Sequence, residues 1–178
     1  MIKNQVNIAV IPARSGSKRL KNKNILNFNG HPMISWSIKL ALKTKLFDHV
    51  VVSTNSKKIA HISKKYGAIA PFIRCKKLSN DYTPIIDVIS DTITQLEMIN
   101  IVADNVFCIY PCSPLVKVAD IKESYKKFIK NKFNYLMAVS KYPHPIERAL
   151  IIDKKKLKPI SIKNMKIRTQ DLTDSYFD

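Results

Sequence analysis

The stretch Ile11-Pro-Ala-Arg-Ser-Gly-Ser-Lys-Arg-Leu-Lys-Asn-Lys-Asn24 follows an apolar run at residues 7–11 that has the length of a buried strand. Small residues at 13 and 15–17 let a ligand approach the backbone amides closely. The stretch holds five cations, Arg14, Lys18, Arg19, Lys21 and Lys23. Because such cations neutralise a polyphosphate from several directions, we interpret residues 12–24 as a phosphate-binding loop. The alternative is a solvated basic loop, or a targeting-like or nucleic-acid-binding patch.

This loop differs from the two common glycine-rich nucleotide motifs. No glycine precedes Gly16 at the spacing of a Walker A loop, and no Gly-Lys-Ser/Thr follows it. The Gly-x-Gly-x-x-Gly pattern is also absent from the stretch. The sequence therefore predicts phosphate binding by another arrangement.

Composition favours a single globular domain. The 178 residues, 46% of them hydrophobic, suffice for one sizeable core. No apolar run approaches the ~20 residues of a membrane span, and the N-terminus lacks a signal-peptide pattern. Cys75, Cys108 and Cys112 are odd in number and lack zinc-site spacing, so we expect reduced thiols. We predict a cytoplasmic protein with no membrane partner.

A formal net charge of +18 raises the possibility of nucleic-acid binding. The lysines are spread along the whole chain, however, and no common nucleic-acid-binding motif is present. We therefore expect no nucleic-acid partner.

Strand and helix patterns alternate along the chain. Strands are predicted at residues 7–11, 49–54, 70–73, 106–110 and 135–139. Helices are predicted to begin after Gly30-His31-Pro32, at Asn55 or Ser56, at Pro84 and at Asp120. In the first helix, Ile34, Ile38, Ala41 and Leu42 share one face, and Trp36 is expected to pack rather than to stack on a ligand.

This alternation predicts an α/β fold with a doubly wound, mostly parallel sheet. Ligands bind such sheets beyond the carboxyl ends of the strands. The loops at 12–24, 74–83 and 111–117 all leave predicted strands at that edge.

The pattern changes in the last forty residues. A proline-broken link, Pro143-His-Pro-Ile-Glu-Arg148, precedes two short predicted strands at 149–152 and 157–162. We predict one domain over residues 1–178, with an arm at about 140–170. Residues 168–178 contain no helix stop or strand end, so we expect that the protein continues beyond them.

Four segments form a set of motifs in chain order: Ile11-Pro-Ala-Arg-Ser-Gly-Ser-Lys18 with Lys23-Asn24, Val51-Val-Ser-Thr54, Leu78-Ser-Asn-Asp81 and Tyr110-Pro-Cys-Ser-Pro114. Together they resemble the acylneuraminate cytidylyltransferase family over the whole chain. The motifs Tyr110-Pro111, Pro143-His-Pro-Ile146 with Arg148, and Arg168-Thr-Gln-Asp-Leu172 with Tyr176 are more similar to its pseudaminic acid branch than to the sialic acid enzymes.

The resemblance implies a sheet of nucleotide-diphospho-sugar transferase type and an arm that forms a homodimer. It implies transfer of CMP from CTP to the anomeric hydroxyl of a nonulosonic acid, most similar to pseudaminic acid, with Mg²⁺ present and pyrophosphate released. N-acetylneuraminate or legionaminate is the alternative sugar. A non-catalytic nucleotide- or nucleic-acid-binding protein is the alternative from another class, because fold does not fix function.

The resemblance also assigns residues to roles. Arg14, Lys18 and Lys23 would hold the triphosphate and stabilise the leaving pyrophosphate. The other nucleotide-binding residues would be Ala13, Ser15, Gly16, Ser17, Asn24 near the ribose, and Arg74, Asp81 and Thr83 near the cytosine. For Asp81 and Thr83, capping of the next helix is the alternative. Sugar-binding residues would be Tyr110, Arg148 and Arg168.

Three departures from the family pattern limit this assignment. Tyr110 replaces a glutamine common in the sialic acid branch, and Val116 stands where those enzymes often carry an arginine. The family's magnesium-binding aspartates are expected beyond the given chain, so the metal ligands are unassigned. Asp153, Asp171 and Asp174 are metal candidates by charge alone.

Overall fold

Helices and strands alternate through the described residues, 5–18 and 20–177, of this computed structural model. The strands are β1 (Asn7–Pro12), β2 (Asn27–Phe28), β3 (His31–Pro32), β4 (His49–Ser53), β5 (Asn105–Cys108), β6 (Ser140–Lys141), β7 (Leu150–Asp153), β8 (Lys156–Pro159) and β9 (Tyr176–Phe177). The helices are α1 (Met33–Thr44), α2 (Lys57–Lys65), α3 (Ile85–Glu97) and α4 (Val118–Lys130). Short 3-10 helices lie at Lys23–Ile25, Lys77–Ser79, Ile146–Arg148, Lys163–Lys166 and Thr169–Asp171. The chain divides into two units, Met1–Lys127 and Phe128–Asp178.

A parallel three-stranded sheet forms the centre of the first unit. Its order is β4-β1-β5, and Val10 of β1 is level with Val51 of β4 and Cys108 of β5. The run from Ile8 to Ile11 is completely buried. A continuous apolar run suits this position because helices cover both faces of a central parallel strand.

The two faces of β1 belong to two hydrophobic clusters. Ala9 and Ile11 pack in one cluster with Ile34 and Ile38 of α1. Ile8 and Val10 pack in the other with residues of α3, including Leu96. Helices on opposite faces confirm the predicted doubly wound α/β class.

The predicted helices and three of the five predicted strands are confirmed. Residues 70–73 are not a strand, because only Ile69 forms a bridge, to Val51, and Pro71 lacks the N–H that a ladder requires. Residues 135–139 are also not a strand, since no described strand pairs with them. Both predictions relied on apolar residues alone and lacked a neighbouring strand.

Helix ends follow the expected local chemistry. The Ser56 hydroxyl accepts a hydrogen bond from the Ile59 amide at 3.4 Å and caps α2. Gly67 follows that helix with φ of +92°, in the left-handed region that glycine adopts readily. Leu42, predicted to share one helical face with Ile34, Ile38 and Ala41, is exposed, whereas those three residues and Leu40 are buried. Trp36 packs as predicted and donates to the Phe28 carbonyl at 3.0 Å.

The second unit contains two small antiparallel pairings. β7 and β8 form a hairpin in which Ile152 is level with Leu157, and β6 pairs with β9. The hairpin confirms the two short strands predicted here, although the second ends at Pro159. Single-domain organisation with an arm stays a prediction. Among the helices of the described part of the chain, none has the length and apolar character needed to cross a membrane.

Candidate nucleotide-binding site

The loop that follows β1 is fixed to the end of β4. The amide of Ala13, which is fully buried, donates to the Ser53 carbonyl at 2.9 Å. Asn55, just after β4, accepts hydrogen bonds from the Ser15 amide at 2.9 Å and the Ser15 hydroxyl at 3.3 Å. These bonds hold the loop at the carboxyl edge of the sheet, where the sequence predicted a ligand site.

Asn24 fastens the other end of the loop. Its side chain is only 4% exposed, and its Nδ2 donates to the Arg14 carbonyl at 2.9 Å. The Cys112 thiol donates to Asn24 Oδ1 at 3.2 Å. Burial raises the pKa of Cys112, with Lys23 opposing the shift, so the thiol stays a donor near neutral pH. The structure therefore places the Asn24 amide against the loop backbone.

The middle of the loop is open. A Cβ added at Gly16 would meet no atom of residues 5–18 or 20–177 within 4 Å, and the Lys18 side chain is 76% exposed. The Ser17 amide turns inward to the Ser15 carbonyl at 3.1 Å. The predicted cation Arg19 lies outside the described residues. This geometry leaves room for an anionic ligand above Gly16.

Arg74 is a buried cation without a carboxylate in ion-pair distance among the described residues. It is 4% exposed, and its Nη1 donates to the Ser53 carbonyl at 3.2 Å and the Ser53 hydroxyl at 3.4 Å. Its Nε donates to the Ser79 hydroxyl at 3.2 Å. Burial lowers the pKa of Arg74, which nevertheless stays charged. A buried charge with neutral partners is expensive, which makes Arg74 a candidate for ligand binding.

The loop at residues 77–83 is a turn built around Asn80. Its Oδ1 accepts from the amides of Tyr82 at 2.7 Å and Thr83 at 2.9 Å. The Thr83 hydroxyl donates to the Lys77 carbonyl at 3.2 Å. α3 has Pro84 at its N-cap and no side-chain cap, so capping by Thr83 or Asp81 is wrong.

Asp81 joins this loop to the phosphate-binding loop. Its carboxylate contacts the Arg14 guanidinium and lies 2.5 Å from Lys18 Nζ. Hydrogen bonds from Lys18 and then Arg14 lower the pKa of Asp81 below its usual range. Two predicted phosphate-binding cations thus converge on one anionic group.

The predicted sugar-binding residues lie on different elements. Tyr110 follows β5, its side chain is exposed, and its carbonyl accepts from the Ser37 hydroxyl at 2.8 Å. In the second unit, Arg148 donates to the carbonyls of Met165 at 2.7 Å and Ile167 at 3.5 Å. Arg168, which directly follows Ile167 in the chain, forms an ion pair with Asp171. Arg148 therefore binds the backbone carbonyl of the residue that precedes Arg168.

The described residues do not fit a protein-held metal site. They include no group of three or more His, Cys, Asp or Glu side chains that could surround a cation. The three aspartates considered by charge are each paired with a cation: Asp153 with Lys158, Asp171 with Arg168 and Asp174 with Lys141.

The family model for cytidylyltransferases matches residues 8–159, which include the loops around Arg14, Asn24, Arg74 and Asp81. The chain belongs to the cytidylyltransferase family. It is 41% identical over 173 residues to pseudaminic acid cytidylyltransferase of Campylobacter jejuni, a match that covers 97% of this chain and 75% of that relative. It is also 37% identical over 117 residues to CMP-N,N'-diacetyllegionaminic acid synthase of Legionella pneumophila, covering 66% of this chain and 50% of that protein.

Solved structures support the same fold. The CTP complex of CMP:2-keto-3-deoxy-manno-octonic acid synthetase matches this cytidylyltransferase with a TM-score of 0.61 at 23% identity, over 76% of this chain and 51% of that chain. The structure of 4-diphosphocytidyl-2C-methyl-D-erythritol synthase matches with a TM-score of 0.62 at 11% identity, over 89% of this chain and 69% of that one. The predicted nucleotide-diphospho-sugar transferase fold is thereby confirmed.

Sequence reasoning gave no role at the candidate site to three residues that contact its predicted members. Ser53 binds Arg74, Asn55 binds Ser15, and Cys112 binds Asn24. Each is a small or short polar residue at or just after the end of β4 or β5. That position, at the carboxyl edge of a parallel sheet, is the signal that could have found them.

Proposed function

We propose that this cytidylyltransferase transfers CMP from CTP to the anomeric hydroxyl of pseudaminic acid and releases pyrophosphate. The observation that carries the proposal is the convergence of Arg14 and Lys18 on the Asp81 carboxylate, because two cations that share one anionic group can also share a polyphosphate. The identity with pseudaminic acid cytidylyltransferase along 97% of the chain supports the sugar.

In the proposed reaction the sugar's anomeric hydroxyl oxygen attacks the α-phosphorus of CTP and its proton passes to solvent. The bond from that phosphorus to the oxygen bridging to the β-phosphate breaks, and pyrophosphate leaves with the bond's electrons. Catalysis of such a transfer consists mainly of positioning and neutralising the developing charge. Arg14, Lys18 and Lys23 supply that charge, while Asn24, Ser15 and their partners hold the loop in shape.

Arg74 is proposed to recognise the cytosine. Within the described residues its Nη2 group makes no hydrogen bond, although Nε and Nη1 are both engaged. Its two remaining N–H groups suit the carbonyl oxygen of a pyrimidine. An enzyme site with a buried donor rejects ligands that leave the donor unpaired. Asp81 and Thr83 would shape this pocket through the 77–83 loop.

The sugar side and the assembly are further parts of the proposal. Tyr110, Arg148 and Arg168 are assigned to the sugar acid, whose carboxylate suits an arginine fork. We also propose a homodimer formed through the arm at about 140–170, and a cytoplasmic location, where nucleoside triphosphates are supplied.

Mg²⁺ is the proposed metal. Mg²⁺ in nucleotide sites is commonly bound through substrate phosphates together with one or two carboxylates, so the phosphate oxygens of CTP would supply part of its ligands. The roles given above to Arg14, Lys18 and Lys23 do not depend on it.

The decisive experiment measures pyrophosphate release with CTP, Mg²⁺ and each of three sugar acids: pseudaminic, N,N'-diacetyllegionaminic and N-acetylneuraminic acid. Release with CTP and pseudaminic acid, and none with ATP, GTP or UTP, is the expected result. Release with another of the three sugars alone would keep the reaction and correct the sugar. Folded protein that releases no pyrophosphate with any pair would contradict the proposal.

Legionaminic acid is the second candidate sugar. The specific observation in its favour is the 37% identity to the Legionella synthase that makes CMP-N,N'-diacetyllegionaminic acid. That match covers two thirds of this chain, against 97% for the pseudaminic acid relative, so it ranks second.

A further inference from the structure

Asp81 lies where a ligand's phosphate oxygens would be expected. Its carboxylate touches the same Arg14 guanidinium and Lys18 ammonium that the proposed function assigns to the triphosphate. A carboxylate presents two acceptor oxygens to these donors, as a phosphate does. The ligand-free site therefore already contains an anion, and the protein itself supplies it.

The contact also closes one loop onto another. The turn around Asn80 is held internally. Asn80 Oδ1 accepts hydrogen bonds from the amides of Tyr82 and Thr83, and Asn80 Nδ2 donates to the Lys77 carbonyl. The stem of this loop is held by Arg74 through Ser79. These bonds do not need the phosphate-binding loop, so the Asp81 ion pairs can break while the turn stays folded.

We propose that Asp81 is a built-in competitor of the nucleotide triphosphate, which must displace its carboxylate from Arg14 and Lys18 in order to bind. This inference rests on the proposed function, because it takes those two cations to be the triphosphate site. Asp81 then acts as a positioning residue. It holds Arg14 and Lys18 in place between turnovers and releases them when the triphosphate binds.

The same competition acts on the product. Pyrophosphate left on Arg14 and Lys18 after transfer would face the returning Asp81 carboxylate, which favours its release. A small anion such as inorganic phosphate must also displace Asp81, and it gains fewer contacts than a triphosphate in doing so. Asp81 thus lowers the affinity of every anion that displaces it by a similar factor, and the short anions, which make fewer contacts, remain the weakest ligands.

The test is calorimetric binding of inorganic tripolyphosphate, and separately of pyrophosphate, to the wild-type protein, Asp81→Asn and Asp81→Ser. We expect both variants to bind both anions about fivefold more tightly, the range given by two exposed ion pairs. Asp87→Asn is the matched control, since it removes the same charge nearby from an exposed residue that makes no ion pair among the described residues. It should change affinity by less than about twofold.

A double-mutant cycle distinguishes displacement of the Asp81 carboxylate from a general effect of net charge on anion affinity. In a Lys18→Ala background one of the two competing contacts is gone, so Asp81→Asn should gain only about twofold. An equal gain in both backgrounds, or in Asp87→Asn, would mean that Asp81 acts through net charge alone and would overturn the inference. Weaker tripolyphosphate binding in both Asp81 variants, with thermal unfolding unchanged, would also overturn it, since Asp81 would then assist binding.

Turnover distinguishes this inference from the proposed function. CTP consumption is assayed with the same proteins. Tighter tripolyphosphate binding without turnover of CTP in any of them would sustain the Asp81 inference and contradict the proposed function. Normal CTP turnover, with no increase in tripolyphosphate affinity in either Asp81 variant, would support the proposed function and contradict the Asp81 inference.

Discussion

The two units of this cytidylyltransferase differ in how their apolar residues are used. In Met1–Lys127, the central strand and the helices on its two faces bury Ile8, Val10 and Ile34 almost completely. Between residues 128 and 177 not one described residue is buried, and Ile152 and Leu157 of the hairpin are 77% and 68% exposed. The first unit has a core that can hold a site rigidly. The second has apolar surface that a partner would stabilise.

The largest expected effect contrasts arginines from the two units. Arg14→Ala removes a charge-assisted contact to the triphosphate and should lower kcat/KM for CTP by about 10²–10³-fold. Arg168→Ala should instead raise KM for the sugar acid and leave CTP affinity unchanged. Steady-state kinetics with each substrate varied, together with calorimetry of CTP, checks both. A loss of CTP affinity in Arg168→Ala would contradict the division of roles.

A second contrast concerns stability. Arg74→Ala removes three hydrogen bonds from a buried guanidinium and should lower the free energy of unfolding by about 2–3 kcal/mol. Arg148→Ala also removes hydrogen bonds to backbone carbonyls, but from a part of the chain without buried residues. It should therefore change the free energy of unfolding by less than about 1 kcal/mol. Urea unfolding measures both. Equal losses would show that the second unit shares the core's cooperativity.

The hairpin tests whether the exposed apolar surface is an interface. Ile152→Lys combined with Leu157→Lys should weaken self-association by roughly tenfold or more, because two charges would have to be desolvated. Val102→Lys is the matched control, since Val102 is 64% exposed in the first unit. Sedimentation across a concentration series gives the result. Unchanged self-association in the hairpin variant would contradict the proposal that the dimer forms through the arm.

Two glycines of the first unit separate folding from binding. Gly67 has φ of +92°, and a Cβ there would lie 3.0 Å from Leu42 Cδ1, so Gly67→Ala should lower stability by about 1 kcal/mol. Gly16→Ala should leave stability unchanged, because its Cβ would enter open space, yet weaken CTP binding. Thermal unfolding and CTP calorimetry together test this pair. Unchanged CTP affinity in Gly16→Ala would mean that no ligand approaches the loop there.

Sequence patterns predicted the first unit well because its signals are local. The apolar run of β1, the cap at Ser56 and Gly67 each act within a few residues, and the motif loops follow strands directly. Residues 70–73 and 135–139 failed because a strand also needs a neighbour, which composition does not reveal. The Asp81 contacts were not predicted either, since they join loops far apart in the chain.

The smallest expected effect is the pH dependence contributed by Asp81. Since hydrogen bonds from Lys18 and Arg14 lower the pKa of Asp81 in the folded protein, its ion pairs stabilise the fold above the ordinary value of 3.8. That contribution is lost as pH falls through the lower folded value. Urea-unfolding midpoints of wild type and Asp81→Asn should therefore converge below about pH 3.8 and differ slightly but constantly above pH 5.

Saturating tripolyphosphate should remove the difference in unfolding midpoint between wild type and Asp81→Asn. If the ligand takes Arg14 and Lys18 from Asp81, the carboxylate loses the hydrogen bonds that lowered its pKa and gains an anionic neighbour, so the pKa of Asp81 must rise. Carbon NMR of the Asp81 carboxyl group, titrated with and without tripolyphosphate, reads this directly. A pKa that stayed low in the complex would instead show that Arg14 and Lys18 contact the Asp81 carboxylate and tripolyphosphate at the same time.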